Sequence, residues 1–260
     1  MELGLNNKKA LILGSSSGIG RAIAKSLALE GCNVHIASRN EVNLAKIKDE
    51  IKSDYSVDCR YGIIDLTQKD SVEEFISSQK DLNFDILVNN TGGPPPSSTA
   101  NTPDDVWGMY IQSIILNIIT ITNKIIPYMK RKKWGRVITI TSSGVVQPIE
   151  NLLVSNTLRP AITGYMKTLS NEVSQYGITV NTVMPGRIMT DRTIQVNQSR
   201  ADKLGITYDE AIERSSIEIP IKRYGKPEEF GDFICFLASK KASYITGSNL
   251  RVDGGLIRNT

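Results

Sequence analysis

ALILGSSSGIGRAIAKSLA, residues 10–28, begins as a short apolar run, breaks at a glycine-rich turn and resumes as an amphipathic helical pattern. Ala10–Leu13 form the run. Gly14, Gly18 and Gly20 punctuate the turn, with Ser16, Ser17 and Ile19 among them, and helical spacing then carries from Arg21 to Leu29. Glycine allows a tight turn and a close backbone approach to a ligand. The start of the helix offers unpaired N–H groups and the positive end of its dipole, a combination that suits a pyrophosphate. A plain turn is the alternative. A strand before it and a helix after it favour the dinucleotide reading.

Outward from this stretch, β-branched runs alternate with helical patterns. Val34–Ala37, Cys59–Ile63, Ile86–Val88, Arg136–Ile140 and Thr179–Val183 read as strands. Leu44–Ile51, Ser71–Ser78, Val106–Met129 and Ala161–Val173 read as helices. Apolar strands joined by crossover helices make a parallel sheet covered on both faces. No repeat, linker or composition break divides the chain, so residues 1–260 read as one doubly wound α/β domain. From about 190 to 220 the pattern lapses into polar helical fragments, where a substrate-covering segment fits.

Composition excludes several classes. A net charge of +4 is mild, and the only tight basic run, Lys130–Lys133, closes a helix where cations suit the dipole, so no nucleic-acid partner is expected. Cys32, Cys59 and Cys235 stand far apart in no metal or disulfide spacing, as in a cytoplasmic protein. His35, the single histidine, sits in a strand, which leaves no basis for histidine acid–base chemistry or a zinc site. The N-terminus lacks a signal-peptide pattern, and no apolar run reaches transmembrane length; IQSIILNIITITNKII, residues 111–126, reads as a helix buried on several faces.

The second strand ends in HIASRN, residues 35–40. An acidic residue there would bind the adenosine ribose hydroxyls and repel a 2′-phosphate. Ser38 and Arg39 stand there instead, and a guanidinium can pair with that phosphate, so NADP(H) is favoured over NAD(H).

These glycines, with NNTGG at 89–93, GRVITITSS at 135–143, GITVNTVMPG at 177–186 and YITGSNLRVDGG at 244–255, resemble the short-chain dehydrogenase/reductase family in the manner of 3-oxoacyl-acyl carrier protein reductases. The resemblance runs nearly end to end. It implies a seven-stranded, mainly parallel Rossmann-like sheet, NAD(P)(H) binding, and carbonyl reduction or alcohol oxidation on a small-molecule substrate. It also implies a homodimer or homotetramer packed through Val106–Met129 and Ala161–Val173. Carried over by position, Asp65 contacts adenine, while Asn89, Thr91 and Gly92 form the turn after the fourth strand. Pro185, Gly186, Ile188 and Thr190 lie along the nicotinamide.

The resemblance breaks at the proton-transfer group. Ser142 matches the family serine, but the tyrosine position holds Ser155, the lysine position Arg159, and the helix asparagine falls on Ile114, with Asn117 one turn on. Serine is a far weaker acid than tyrosine, whose unperturbed pKa is about 10. Arginine keeps the charge but does not exchange its proton. Pro160 next to it removes a backbone donor, which an early helical turn tolerates. Tyr110, Glu150, Asn151 and Asn156 are the other groups near enough in sequence to serve. GGPPPSS, residues 92–98, either reshapes the pocket or is a stiff connector.

Three functions stay open at this level. One is an oxidoreductase with a rebuilt proton relay. Another is a catalytically impaired dinucleotide-binding or scaffold protein. The third uses the crevice for dehydration or isomerisation.

Overall fold

The computed structural model describes residues 2–99 and 101–258. Strands β1 (Lys9–Leu13), β2 (Asn33–Ser38), β3 (Cys59–Ile63), β4 (Ile86–Asn89), β5 (Gly135–Ile140), β6 (Ile178–Pro185) and β7 (Asn249–Val252) form one sheet in the order β3-β2-β1-β4-β5-β6-β7. Every pairing is parallel. The seven-stranded doubly wound fold expected from the sequence is the fold observed.

Strand side chains alternate between two cores. Ala10 and Ile12 of β1 enter the layer beneath α1 (Gly18–Leu29), α2 (Glu41–Asp54) and α9 (Pro227–Ala238). Leu11 and Leu13 enter the layer beneath α3 (Lys69–Ser78), α5 (Asn117–Lys132) and α6 (Leu153–Val173). The period of two explains why these strands read as unbroken apolar runs: each face meets a helix layer. The chain winds from β1 outward to β3, then returns to place β4 against β1, with Ile12 beside Val88. Strand order reverses there, which opens a crevice at the carboxyl ends of β1 and β4.

The long helical pattern holds a surprise. α4 (Asp104–Ile111) runs into α5 through a π-helical turn at Gln112–Leu116, giving a 29-residue helix, Asp104–Lys132, with an 18-residue stretch of mean hydropathy 1.3. By length and composition alone it could cross a membrane, as many core helices could, and it is buried on the faces expected from the interrupted run. Its position explains the apolarity: Ile114, Ile118, Ile121, Ile125 and Met129 are buried against the sheet. The basic run ends α5 as expected, and Lys132 pairs with the buried Asp85.

α6 starts earlier than its periodicity suggested, so Pro160 lies well inside it and not in a tolerant first turn. The ring withholds the N–H that the Asn156 carbonyl would otherwise accept. Beyond β6, the weakly patterned region folds as two helices, α7 (Asp191–Leu204) and α8 (Tyr208–Ile217). A buried trio holds them: the Tyr224 hydroxyl donates to Ser215 Oγ at 2.7 Å, and Asn197 Nδ2 donates to Tyr224 at 3.1 Å.

Candidate active site

The glycine turn is closed so tightly that side chains have no place in it. Gly14 and Gly18 have φ of +60° and +53°. A Cβ on Gly20 would stand 2.2 Å from the Gly14 carbonyl oxygen, and one on Gly14 would stand 2.5 Å from that of Asn90. Two residues fasten the turn. The Ser15 hydroxyl donates to Ile12 O and accepts from Ala37 N–H, each at 2.9 Å. Asn90 Nδ2 donates to Gly14 O at 2.9 Å. At the head of α1 the Ser17 side chain makes no cap, so the first N–H groups keep their hydrogen-bonding capacity for a ligand. Ser16 and Ile19 are half-buried and Ser17 exposed along this rim. The cradle fits a pyrophosphate, since the glycines let the turn close on itself and the head of α1 is left without a side-chain cap.

At the end of β2, Ser38 is buried and its Oγ accepts from Asn40 N–H at 3.3 Å. The Arg39 side chain is 71% exposed, with Nη1 3.9 Å from Asp65 Oδ2. The other Asp65 oxygen accepts from Thr67 N–H and Oγ1, at 2.8 and 2.7 Å. Asp65 is thus held in place, whereas an exposed ion pair of this length holds Arg39 weakly. The arginine is able to turn toward a phosphate.

Behind β4 the two asparagines divide their work. Asn89 is fully buried, and its Nδ2 donates to Thr122 Oγ1 at 3.3 Å and Thr139 Oγ1 at 3.2 Å. Its side chain therefore points into the core, and only its backbone faces the crevice end of the strand. Period-two alternation turns the Asn89 side chain inward while Asn90 reaches the glycine turn. Thr91 is buried, with no partner for its hydroxyl, and Gly92 is open to solvent. The Pro-rich segment that follows is anchored, because Ser97 N–H donates to Asn151 O at 2.8 Å and Leu153 N–H donates to Ser97 O at 3.3 Å.

The loop after β6 lies across the cradle. Pro185 pairs with Val252, and a Cβ on Gly186 would fall 2.5 Å from Asp253 Cα. Ile188 is buried beside Gly225. Thr190 caps α7 by accepting from Thr193 N–H at 3.3 Å, and its methyl lies 3.4 Å from where a Gly18 Cβ would be. The next turn brings Arg192 to the opposite wall, where Nη2 donates to Pro94 O at 3.1 Å and Nη1 to Gly93 O at 3.4 Å.

Ser142 follows β5 with extended backbone, and its Oγ accepts from Gly144 N–H at 3.0 Å, which leaves its own proton to donate. Ser155 and Arg159 share one face of α6, one turn apart, and both are buried. The Ser155 side chain makes no hydrogen bond to any described residue. Arg159 bridges two strand ends: Nη1 donates to Ile140 O at 2.9 Å and Nη2 to Thr91 O at 3.2 Å, while Nε has no partner. Burial, and then the charge of Arg192, lower its pKa to about 10, so it stays cationic at neutral pH.

The alternative donors are held in different ways, and Asn156 lies near Ser142, since Asn156 Oδ1 and Ser142 Oγ both flank the position a Gly144 Cβ would take. Ile114 is buried in the π-helical turn, and Asn117 is committed to Leu66 O at 2.9 Å. Tyr110 packs against the core, and Glu150 and Asn151 are exposed. Asn156 pins the preceding loop through Ile149 N–H and O, at 3.1 and 2.7 Å. Among the described residues no three His, Cys, Asp or Glu side chains come together as metal ligands. Ser15, Asn90 and Arg192 were missed from the sequence. Asn90 was available as the second asparagine of NNTGG; Arg192 had no signal.

Known proteins match this architecture along its length. The family described as "Enoyl-(Acyl carrier protein) reductase" matches residues 14–257. The chain is 34% identical to the uncharacterized oxidoreductase YvaG of Bacillus subtilis, covering 100% of this chain and 99% of that protein. It is also 34% identical to the 3-oxoacyl-[acyl-carrier-protein] reductase FabG of Buchnera aphidicola, over 98% and 99%. The crystal structure of L-sorbose reductase from Gluconobacter frateurii, complexed with NADPH and L-sorbose, superposes with a TM-score of 0.94 at 30% identity over the whole of both chains. The chain belongs to the short-chain dehydrogenase/reductase family.

Proposed function

We propose that this protein is an NADP(H)-dependent oxidoreductase that reduces a carbonyl, or oxidises an alcohol, with a proton relay rebuilt around Ser142, Ser155 and Arg159. NADPH in L-sorbose reductase and the solvent-facing Arg39 beside Asp65 support the phosphorylated cofactor. Gly14, Ser16, Ser17, Gly18, Ile19 and Gly20 hold its pyrophosphate, Ser38, Arg39 and Asp65 its adenosine end. Thr91, Gly92, Pro185, Gly186, Ile188 and Thr190 line the nicotinamide. When bound, the cofactor supplies hydride.

The chain supplies the rest. The Ser142 hydroxyl, already accepting from Gly144, is oriented to donate to a substrate oxygen. Arg159 puts a fixed positive charge at the strand ends where negative charge develops on that oxygen. With Ser155 in the tyrosine position, general acid assistance worth roughly 10²–10⁴-fold is reduced, and solvent must deliver the proton through the unengaged Ser155 hydroxyl. The observation that carries this reading is the polar floor of the crevice. The Thr91 hydroxyl and the Nε of Arg159 are buried without partners beside an intact nucleotide cradle, a costly arrangement that a purely structural protein has no use for.

α7 and α8 form the substrate cover, and the exposed Met109, Ile111 and Leu116 of the long helix support a dimer or tetramer built on it. Three buried, unpaired thiols support a cytoplasmic setting. Fluorescence titration with NADPH, followed by turnover assays across carbonyls and alcohols, tests the proposal. Micromolar binding with measurable NADPH consumption on at least one carbonyl is expected. Binding without turnover on any substrate would overturn it in favour of a nucleotide-binding scaffold, and failure to bind would exclude both.

A further inference from the structure

The protein buries two guanidiniums in different ways. Arg136 is fully served: Nε and Nη2 donate to Ser239 O, Nη1 to Gly135 O and Gly177 O, and its plane lies 4.5 Å from the Trp134 ring. Arg159 is equally buried, at 5% exposure, but its Nε has no acceptor. Among the described residues the only charged side chain that acts on Arg159 is another cation, Arg192, and no carboxylate lies within ion-pair distance of either. Two like charges thus serve one short segment, Arg159 through the Thr91 carbonyl and Arg192 through those of Gly93 and Pro94, two and three residues further on.

Arg192 is placed there by specific packing. It reaches across to Gly93 O and Pro94 O, and a Cβ on Gly93 would fall 2.6 Å from its Nη1, so the absence of a side chain at Gly93 is what admits the guanidinium. Neutral carbonyls satisfy its hydrogens without cancelling its charge. A carboxylate between Arg192 and Arg159 would offset their mutual repulsion, and it is the group whose two oxygens match a guanidinium fork.

We propose that Arg192 and Arg159 together form the seat for a substrate carboxylate, and that the substrate is a small oxo acid whose carboxylate adjoins the reacting carbonyl. This rests on the oxidoreductase reading. With NADPH as the two-electron donor, the carbonyl carbon gains a hydride, its oxygen gains a proton from solvent, and a hydroxy acid results. The other source of anion is the cofactor's own pyrophosphate, whose cradle is tied to Asn90 at the end of β4, next to the Thr91 carbonyl that Arg159 serves, and the NADPH arm of the test below separates the two.

Calorimetric titration of the NADP-loaded protein with oxamate, and with its uncharged counterpart oxamide, tests this without turnover. Oxamate is expected to bind at least tenfold more tightly than oxamide. Arg192→Met should weaken oxamate at least tenfold, Arg192→Lys less so, while both variants keep NADPH affinity within twofold of the parent. That retained affinity also shows that they fold. Equal binding of the two probes, no binding of oxamate, or an Arg192→Met variant that binds oxamate like the parent would overturn the proposal. So would a loss of NADPH affinity in Arg192→Met as large as that of oxamate, which would give the seat to the cofactor. If the parent itself does not bind NADPH, the oxidoreductase reading has failed first, and oxamate binding to the cofactor-free protein then judges the anion seat alone.

Discussion

Gly20→Ala adds one methyl group at the tightest point of the nucleotide cradle. The new Cβ would stand 2.2 Å from Gly14 O and 2.9 Å from its carbonyl carbon, where contacts under 3.0 Å essentially do not occur. The obstacle is backbone, so α1 or the turn must retreat by about 0.8 Å. Overpacking of this kind costs about 1–3 kcal/mol, and disturbing the Asn90–Gly14 hydrogen bond adds about 1. The usual gain of about 1 kcal/mol for alanine over glycine in a helix offsets part of this, leaving a net loss of about 1–3 kcal/mol. The effect on the ligand is larger. Two charge-assisted bonds from backbone N–H to phosphate, at about 1.5–3 kcal/mol each, depend on that close approach, so NADPH affinity should fall at least about 100-fold. Gly164→Ala is the matched control, since nothing lies within 4 Å of a Cβ there and α6 is continuous through it. It should stabilise the protein by about 0.5–1 kcal/mol and leave NADPH affinity unchanged. Urea unfolding and NADPH fluorescence titration read both quantities. A Gly20→Ala protein that binds NADPH within threefold of the parent would refute the argument that backbone approach at Gly20 forms the cradle.

Three further outcomes are expected. Ser155→Tyr combined with Arg159→Lys should raise carbonyl reduction about 10²-fold if the relay alone limits the rate; a folded, NADPH-binding double variant with no gain would show that the pocket has diverged as a whole. Burial, and then Arg60, lower the pKa of His35 to about 4. Between pH 6.5 and 4 the unfolded chain therefore takes up a proton that the folded one refuses. Stability should fall through that window by up to about 3 kcal/mol and no further below it, and His35→Leu should remove this component from urea midpoints measured against pH. The exposed apolar side chains of the long helix predict a dimer or tetramer by light scattering, and a monomer at micromolar concentration would refute that assembly.

The fold was legible because its signals are local. Alternating apolar runs gave the strands, and Gly14, Gly18 and Gly20 punctuated the one turn where the backbone needs them. Helix boundaries were less legible. The start of α6 at Leu153 has no capping side chain to announce it, and Pro160 in its interior argued for a later beginning. The long helix looked interrupted because the side chains of Asn117 and Thr122 face inward to partners far along the chain, Leu66 and Asn89.

The sequence by itself determined the parallel sheet, the glycine turn between β1 and α1, and the placing of Ser155 and Arg159 one helical turn apart, because each is written within a few neighbouring residues. Only the tertiary structure decided what Arg159 does with its charge and that Arg192 stands near it. Those contacts join Arg159 to Ile140 and Thr91, and Arg192 to Gly93 and Pro94, across strand ends that are neighbours only once the sheet is assembled. Periodicity describes a helix face, and it carries no information about which distant carbonyl that face will meet.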